Sequence, residues 1–389
     1  MELTIRNFGP IKDAQIDFGD LTFLIGPQAS GKSLSLELLK LIIDRQHIIS
    51  TLRNYNYILN KKDATNILEG YFGEGLSKLF KEETEIYWGN ENFSPQELLN
   101  TLIQQKASEK TKETVFYVPA QRILSIADGR PKNFMEFDWE TPYVLRRFSE
   151  TLRVFIQGGL GNPDTIFPMK NRLKEDVRNS INQTIFHDAK VVIDQAGNQR
   201  KMKLEIDNLR IPFMAWSAGQ KEFMPLLLGI YCLSGPPTQV VNKEDYEWVI
   251  IEEPEMGLHP RAIQSVLLEI IELMKNGYKV IVSTHSTIFP EFVWAFNNLR
   301  GLPNRCFKTA MNEMFELSAD STAANLFDRL KDKNIKTYYS AKGTSEGGVT
   351  FADISTLDAL SEDTDVSEWG GLSSFAGKSS EIVSRYGVQ

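Results

Sequence analysis

The chain is poor in cysteine: only Cys232 and Cys306 occur among 389 residues, which is too few for a disulfide framework. No apolar run reaches the roughly 18 residues of a membrane span, and the start, Met1-Glu2-Leu3, lacks the basic and apolar blocks of a signal peptide. The net charge is −8, whereas a protein that grips nucleic acid over its whole surface is usually basic. These shortages predict a cytoplasmic protein without membrane spans, and they confine any DNA contact to a local surface.

What is present is an ordinary globular composition, 42% apolar and 24% charged, with enough apolar material for a large core. The first 45 residues follow clear patterns. Alternation predicts an edge strand over Glu2–Arg6 and a second strand over Ala14–Phe18, and Leu21–Ile25 is a short apolar strand. A glycine-bearing loop follows, and leucine and isoleucine spacing then predicts a buried helix over Lys32–Asp44.

The rest of the chain alternates between helical and strand patterns, without internal repeats or sustained heptads. Residues 45–110 and 143–188 have helical spacing. The predicted strands are Val115–Val118, a hairpin of Val191–Ile193 with Lys201–Ile206 across Ala196-Gly197-Asn198, Trp248–Ile251, Lys279–Ser283, and a pair near Thr337–Tyr339 and Val349–Phe351. An acidic turn over Glu362–Glu368 and a short helix end the sequence.

The loop after the third strand matches a phosphate-binding pattern. Its residues, Gly26, Pro27, Gln28, Ala29, Ser30, Gly31, Lys32 and Ser33, fit G-x-x-x-x-G-K-[ST] between a strand and a helix. Glycines let successive N–H groups point at phosphate oxygens, and the helix adds its positive end. We expect Lys32 to lie between the β- and γ-phosphates and Ser33 to hold Mg²⁺.

A second motif is a group of acids after the apolar strand Val249-Ile250-Ile251. An acid at a strand end can organise a Mg²⁺ shell, and a second can orient the attacking water. We assign Glu252 to the metal and Glu253 to the water. A solvated acidic turn is the alternative for such a run, but the apolar strand and the phosphate loop favour the catalytic interpretation.

Three weaker signals complete the pattern. Ser217-Ala218-Gly219-Gln220 precedes a helix that begins near Lys221, which makes a second anion-binding helix start. His285 ends an apolar strand, and Gln121 follows Val115–Val118, from where it could reach the metal or the water. Taken alone, the Ser217 run would indicate only a helix N-cap, and His285 would more often be a structural group than a catalytic one. Gln121 alone would indicate no function.

Taken in order, these motifs resemble the ABC ATPase set of phosphate loop, Q-loop, signature, Walker B with catalytic glutamate, and switch histidine. Two further runs narrow the resemblance: Leu3-Thr4-Ile5-Arg6-Asn7-Phe8-Gly9-Pro10-Ile11, and Glu253-Pro254-Glu255 followed by Leu258-His259-Pro260. They are similar to the non-transporter branch that includes RecF, RecN, SMC proteins and OLD-type ATPases. The sequence departs from that branch at three positions. Gln28 stands where the branch often has Asn, and Ala218 stands where Gly or Ser is commoner. Glu252 replaces the usual Asp.

The resemblance implies an α/β fold: a P-loop ABC-type ATPase head with a mixed sheet, antiparallel N-terminal strands and a helical insertion. The expected head comprises residues 1–45, 115–125 and 190–389, and the insertion 46–114 and 126–189. It implies ATP and Mg²⁺ as cofactors. The implied catalytic residues are Lys32, Glu253 and His285. The residues implied to bind or approach Mg²⁺ are Ser33, Gln121 and Glu252. The signature residues implied to contact the nucleotide are Ser217, Gly219 and Gln220. In this family two subunits face each other, so a homodimer or higher oligomer is expected, with Ser217 and Gly219 acting on the partner's ATP.

The sequence leaves open what ATP turnover serves. OLD-type nucleases carry strand-borne acids downstream of the switch histidine, whereas the acids here, Glu362, Asp363, Asp365 and Glu368, lie in a polar run typical of a solvated face. The first hypothesis is therefore an ATPase that gates a separate nuclease or toxin, as in bacterial anti-phage or toxin–antitoxin systems. The alternatives are a RecF-like ATPase that binds DNA itself, and a nuclease with a concealed site.

Overall fold

The structure is a computed structural model that describes residues 1–106, 110–160, 164–196, 199–238, 240–318, 321–342 and 347–386. The strands are β1 (Glu2–Phe8), β2 (Ile11–Asp17), β3 (Leu21–Ile25), β4 (Phe80–Trp88), β5 (Glu91–Asn92), β6 (Val115–Val118), β7 (Ile126–Ala127), β8 (Arg130–Pro131), β9 (Thr165–Phe167), β10 (Lys190–Ala196), β11 (Gln199–Ile206), β12 (Leu209–Pro212), β13 (Trp248–Glu252), β14 (Lys279–Thr284), β15 (Ile335–Lys342) and β16 (Val349–Asp353).

The α-helices are α1 (Lys32–Asn54), α2 (Thr65–Phe72), α3 (Pro95–Gln104), α4 (Tyr143–Val154), α5 (Glu175–Ile181), α6 (Ala218–Leu233), α7 (Pro260–Lys275), α8 (Ile288–Leu299), α9 (Asn304–Met314), α10 (Thr364–Ser367) and α11 (Ser374–Tyr386). Single π-helical turns extend α4 and α5. None of the helices within the described ranges has both the length and the apolar content to cross a bilayer.

One large mixed sheet organises the molecule, with strand order β5-β4-β1-β2-β16-β15-β3-β14-β13-β6. The N-terminal strands β1 and β2 pair antiparallel, while β15, β3, β14, β13 and β6 run parallel to one another. This confirms the expected mixed sheet with antiparallel N-terminal strands. The predicted tail strands are also present, and they join this sheet through β3 and β2.

The central strands are apolar because helices cover both faces of the sheet. Along β13, Val249 and Ile251 pack into the core that contains α6 and α7, while Ile250 packs into the opposite core with α1 and α3. All three side chains are at most 1% exposed. Burial on both faces explains a continuous apolar run where a one-sided strand would alternate.

The expectation of a helical segment over 45–110 is wrong in part. α1 passes the predicted end at Asp44 with a kink there and continues to Asn54. Residues 80–88, at the end of the helical spacing, form β4, which pairs with β1 through Ile5 and Ile86. β1 is therefore an inner strand and not the expected edge strand, and pairing with its free side outweighs the local helical pattern.

The other segments follow the expectations more closely. Over 143–188 the helices are interrupted by β9, which joins β10, β11 and β12 in a second, four-stranded sheet. The predicted hairpin is the antiparallel pair β10–β11, although residues 197 and 198 of its turn lie outside the described residues. The acidic turn contains the one-turn helix α10, and the final helix is α11. The division into head and insertion stays a prediction.

Candidate active site

The candidate site forms where neighbouring parallel strands end together. Ile25 at the end of β3 lies opposite Thr284 of β14, Ser283 of β14 lies opposite Glu252 of β13, and Ile251 lies opposite Val118 of β6. Loops that leave the carboxyl ends of such strands meet at one edge of the sheet. This register brings the phosphate loop, the acids after β13, His285 and the segment of Gln121 to that edge.

The phosphate loop, residues 26–33, has the backbone that its glycines allow. Gly26 has φ of 147° and Gly31 has φ of 77°, values that L side chains rarely adopt. A Cβ on Gly26 would also lie 2.3 Å from the carbonyl oxygen of Ser340, in β15. The loop therefore needs glycine at this position for both its conformation and its contact with the tail strand.

The Lys32 ammonium is folded back onto the phosphate loop. Its Nζ donates to the carbonyl oxygens of Gly26 and Pro27, both at 2.8 Å, and lies 3.3 Å from Ser30 Oγ. Burial lowers the pKa of Lys32 to about 8, against the opposing effect of the nearby Glu253, Glu255 and Glu252 carboxylates. The loop thus holds a partly desolvated cation at the place where a phosphate chain would lie.

Glu252 is the buried acid of the site. Its side chain ends β13 with 3% exposure, and Oε2 accepts a hydrogen bond of 3.1 Å from the Ala120 backbone N–H. Burial raises the pKa of Glu252, while the nearby Ser33 hydroxyl and the Ala120 N–H act in the opposite direction. Oε1 is buried without a hydrogen-bond partner, so one oxygen of this carboxylate is available to a ligand.

This donor set fits Mg²⁺ bound together with a nucleotide. Mg²⁺ in phosphoryl-transfer sites is held by one or two protein oxygens, water and phosphate oxygens rather than by a cage of side chains. Ser33 and Glu252 supply such oxygens, and the described part of the chain contains no group of three or more His, Cys, Asp or Glu side chains arranged for a metal ion. When bound, the ion would neutralise phosphate charge.

Glu253 and His285 form a pair across β13 and β14. His285 Nε2 lies 3.3 Å from Glu253 Oε1, and both side chains are 28% exposed. Glu253 has φ of 42°, in the left-handed region, and its backbone N–H donates to the Ser283 carbonyl at 2.8 Å. The pair can share a proton or hold a water molecule between carboxylate and imidazole.

Glu255 orients the segment that carries His285. Its Oε1 accepts hydrogen bonds from Thr284 Oγ1 at 2.7 Å and from the His285 backbone N–H at 2.6 Å. From the sequence, Glu255 supports only the family resemblance, and no role in the site is predicted for it. Its position three residues past the strand-end acid Glu252 was the available signal for this contact.

Gln121 and the signature, residues 217–220, lie at the surface of the single chain, at least in part. Gln121 is exposed at the start of a 3-10 turn, one residue past Ala120. Ser217 is the exposed N-cap of α6, where its Oγ accepts from Gln220 N at 3.3 Å and Gln220 Oε1 accepts from Ser217 N at 3.1 Å. A Cβ on Gly219 would lie 2.5 Å from the Gly257 carbonyl. The signature therefore packs against the loop that follows the acids.

Two residues near the site were missed by the sequence argument. Ser340 Oγ lies 2.6 Å from Ser30 Oγ and donates to the Ile25 carbonyl at 3.2 Å, so β15 supports the phosphate loop from behind. Arg122 is fully buried and bonds to carbonyls of the segment after β13. A lone arginine directly after Gln121 was the only sequence signal for the latter, and a serine within a strand gives none.

Fold and site together define a P-loop ATPase head of the ABC type. The chain belongs to the family described as "AAA domain, putative AbiEii toxin, Type IV TA system", whose model matches residues 21–289. A stretch of 45 residues is 47% identical to the Old nuclease of Escherichia phage P2, and it covers 12% of this chain and 8% of that nuclease.

Solved structures with a similar course of the chain include heads of SMC proteins. The SMC head domain from Thermotoga maritima is 13% identical over 90% of this chain and 97% of that chain, with a TM-score of 0.37. An SMC head bound to the C-winged helix domain of ScpA is 12% identical over 90% of this chain and 96% of that chain, with a TM-score of 0.38.

Proposed function

We propose that this chain binds ATP with Mg²⁺ and hydrolyses it at the edge of the sheet formed by β3, β14, β13 and β6. The observation that carries the proposal is the convergence of the Lys32 ammonium, the half-satisfied Glu252 carboxylate and the Glu253–His285 pair at that edge. These groups come from the ends of three strands: Lys32 from the loop after β3, Glu252 and Glu253 from the end of β13, and His285 from the end of β14. A structural explanation for one of them does not account for all three.

The residues divide the work by position. Lys32 neutralises charge on the β- and γ-phosphates, and the loop N–H groups cradle them. Ser33 and Glu252 supply oxygens on the metal side, with Gln121 one residue beyond the Ala120 N–H that fixes Glu252. Glu253 accepts a proton from the attacking water, and His285 holds that water or carboxylate in place.

The proposal includes an ATP-sandwich dimer, because the signature is built as an anion-binding helix start that faces solvent. Ser217 is exposed, α6 begins immediately after it, and the capping box leaves the helix end ordered. A helix N-terminus attracts phosphate oxygens. In the dimer, Ser217 and Gly219 contact the γ-phosphate of ATP held by the partner, and closure of two such contacts around two nucleotides makes hydrolysis cooperative with assembly.

The effector is proposed to be a separate protein, a nuclease or toxin, in anti-phage or toxin–antitoxin function. The family description names a toxin and a type IV toxin–antitoxin system, which supports that setting. The residues after His285 are engaged in the ATPase fold: β15 and β16 complete the sheet, and Asp363 caps α10 by accepting from Asp365 N at 2.9 Å. The match with the Old nuclease spans 8% of that protein and gives no argument for cleavage by this chain.

The first test measures ATP binding and turnover by the purified protein. Lys32→Ala removes the phosphate-loop cation, so it should lose hydrolysis and most nucleotide binding, as measured by phosphate release and by titration with a fluorescent ATP analogue. Lys61→Ala, at an exposed lysine, is the matched control and should behave as wild type. Near-normal turnover by Lys32→Ala would refute the site.

The second test addresses the effector. The purified chain is incubated with plasmid and linear DNA in Mg²⁺ or Mn²⁺, and cleavage that an acid-to-alanine variant abolishes would refute a separate effector. In parallel, Glu253→Gln with ATP and Lys32→Ala are used as baits in the native host. The proposal predicts a partner retained only by the ATP-bound bait, whereas ATPase stimulation by DNA without such a partner would favour the RecF-like alternative.

A further inference from the structure

Arg122 joins segments that are far apart in the sequence. It is 0% exposed, and its guanidinium donates to three backbone carbonyls: Nε to Glu222 at 3.1 Å, Nη1 to Glu252 at 2.9 Å, and Nη2 to Glu253 at 3.1 Å. A guanidinium is a rigid planar fork with donors in fixed directions. These bonds therefore fix the relative positions of the carbonyls and of the turn that begins with Arg122.

The three segments are those on which the proposed hydrolysis depends. Glu252 and Glu253 are the acids at the end of β13, and Glu222 lies in the second turn of α6, whose N-cap is the signature serine Ser217. Arg122 itself directly follows Gln121. One buried side chain thus contacts the acids, the signature helix and the Q-loop segment within the same subunit.

The backbone of Glu253 needs such support. Its φ of 42° lies in the left-handed region, which costs a non-glycine residue about 1–3 kcal/mol and persists only where the surroundings fix it. The Glu253 N–H is held by the Ser283 carbonyl, and its own carbonyl is held by Arg122. These two bonds fix the peptide groups on either side of the Glu253 Cα and so set the direction in which its carboxylate leaves the chain.

We propose that Arg122 is a positioning residue for ATP hydrolysis, which aims the Glu253 carboxylate and links its direction to the position of the signature helix. The inference rests on the proposed function, since it concerns the same carboxylate. Arg122 does not touch the reacting atoms in this role. A movement of α6 when the signature meets the partner's nucleotide would be transmitted through Glu222 to the carbonyls of Glu252 and Glu253.

The experiment compares Arg122→Lys with Arg172→Lys. Lysine keeps the positive charge but cannot reach three diverging carbonyls from a single ammonium. Arg172 is a matched control because it is 8% exposed and donates to the carbonyls of Tyr231 and Ser234 at the other end of α6. We expect Arg122→Lys to lower kcat about 10²-fold, as for a misplaced catalytic group, with KM and nucleotide affinity nearly unchanged, and Arg172→Lys to keep kcat.

Amide hydrogen exchange gives a readout that does not depend on turnover. In Arg122→Lys, exchange should become faster at the Glu253 N–H and in the first turns of α6, while Arg172→Lys should leave both unchanged. If wild type hydrolyses no ATP, the proposed function fails, and the exchange result still decides whether Arg122 holds these segments.

Three results would overturn the inference: a wild-type kcat in Arg122→Lys, equal loss of kcat in both lysine variants, or unchanged exchange at Glu253. If Arg122→Lys does not fold, Arg122→Gln is compared with Arg172→Gln by the same criteria. The glutamine amide carries no charge to bury, and it has fewer N–H donors than the guanidinium, so it also cannot bond all three carbonyls.

Discussion

At the scale of single residues, the positive charge of the phosphate loop is carried by a partly desolvated lysine. Lys32 is 5% exposed and bonded to its own loop, and burial lowers its pKa to about 8. A phosphate chain would replace the loop carbonyls as partner of the ammonium and favour its charged form. Nucleotide binding and protonation of Lys32 are therefore linked.

This linkage predicts a pH dependence with a definite sign. Well below pH 8 Lys32 is already protonated, so the affinity for ATP should not depend on its titration there. Above pH 8 the free protein loses the proton and must take it up on binding, so the dissociation constant should rise with pH, by up to about tenfold per pH unit. Calorimetric titration in buffers of different ionisation enthalpy would measure both the affinity and the proton uptake.

Lys32→Arg is the control for this prediction, because a guanidinium stays protonated over the whole range. Its affinity for ATP can be lower than that of wild type, but the rise of the dissociation constant above pH 8 should disappear. A flat profile in the wild-type protein, or the same slope in Lys32→Arg, would show that another group is responsible.

At the scale of elements, the N-terminus of α6 has a structural role as a capped helix end and a proposed role in binding the partner's ATP. Its N-cap Ser217 stabilises the helix within the subunit, and the same serine is proposed to contact the partner's ATP. Ser217→Arg should leave ATP binding intact and remove hydrolysis, because a bulky cation blocks closure without reaching the phosphate loop of its own chain. Equilibrium nucleotide titration and steady-state turnover measure the two effects separately.

Ser217→Ala distinguishes the helix-capping role of Ser217 from its proposed contact with the partner's ATP. It loses the capping hydrogen bond, for which about 1 kcal/mol of stability is typical, without adding bulk. It should lower the free energy of unfolding while it retains more turnover than Ser217→Arg. Equal loss of binding and turnover in Ser217→Arg would indicate that Ser217 acts within its own subunit.

The elements also show why part of the molecule could be predicted and part could not. The phosphate loop, β13 and β14 have signals confined to a few neighbouring residues, and the structure places their groups at one edge of the sheet. The strand character of 80–88 depends on pairing with β1, some 80 residues earlier, and no local pattern encodes that contact. For the same reason Arg122 and Ser340 remained unseen: their partners are 100 or more positions away.

At the scale of the whole molecule, the large sheet brings the N-terminal strand β3 and the later strand β15 together beside the phosphate loop. β3 leads into the phosphate loop, and its neighbour β15 places the carbonyl of Ser340 against Gly26. The strands β15 and β16, which follow His285, thus belong to the same sheet as β3 and the phosphate loop. The exposed Ser217 at the start of α6 is the surface that we propose for the partner subunit.

We propose that ATP closes two such heads and that hydrolysis, with Glu253 activating the water, reopens them. Glu253→Gln keeps the size of the side chain but loses its charge, so it should bind ATP and hydrolyse it about 10²–10⁴ times more slowly. Slower hydrolysis shifts the population toward the ATP-bound dimer. The double variant Lys32→Ala, Glu253→Gln is the control, since it cannot hold the nucleotide.

Light scattering of Glu253→Gln with and without ATP–Mg²⁺ measures this closure. The predicted result is an ATP-dependent doubling of mass, or compaction if the protein is already oligomeric, that is missing in the double variant. Normal hydrolysis by Glu253→Gln would contradict the catalytic assignment, and an inactive variant with unchanged mass, shape and nucleotide release rate would contradict the sandwich mechanism.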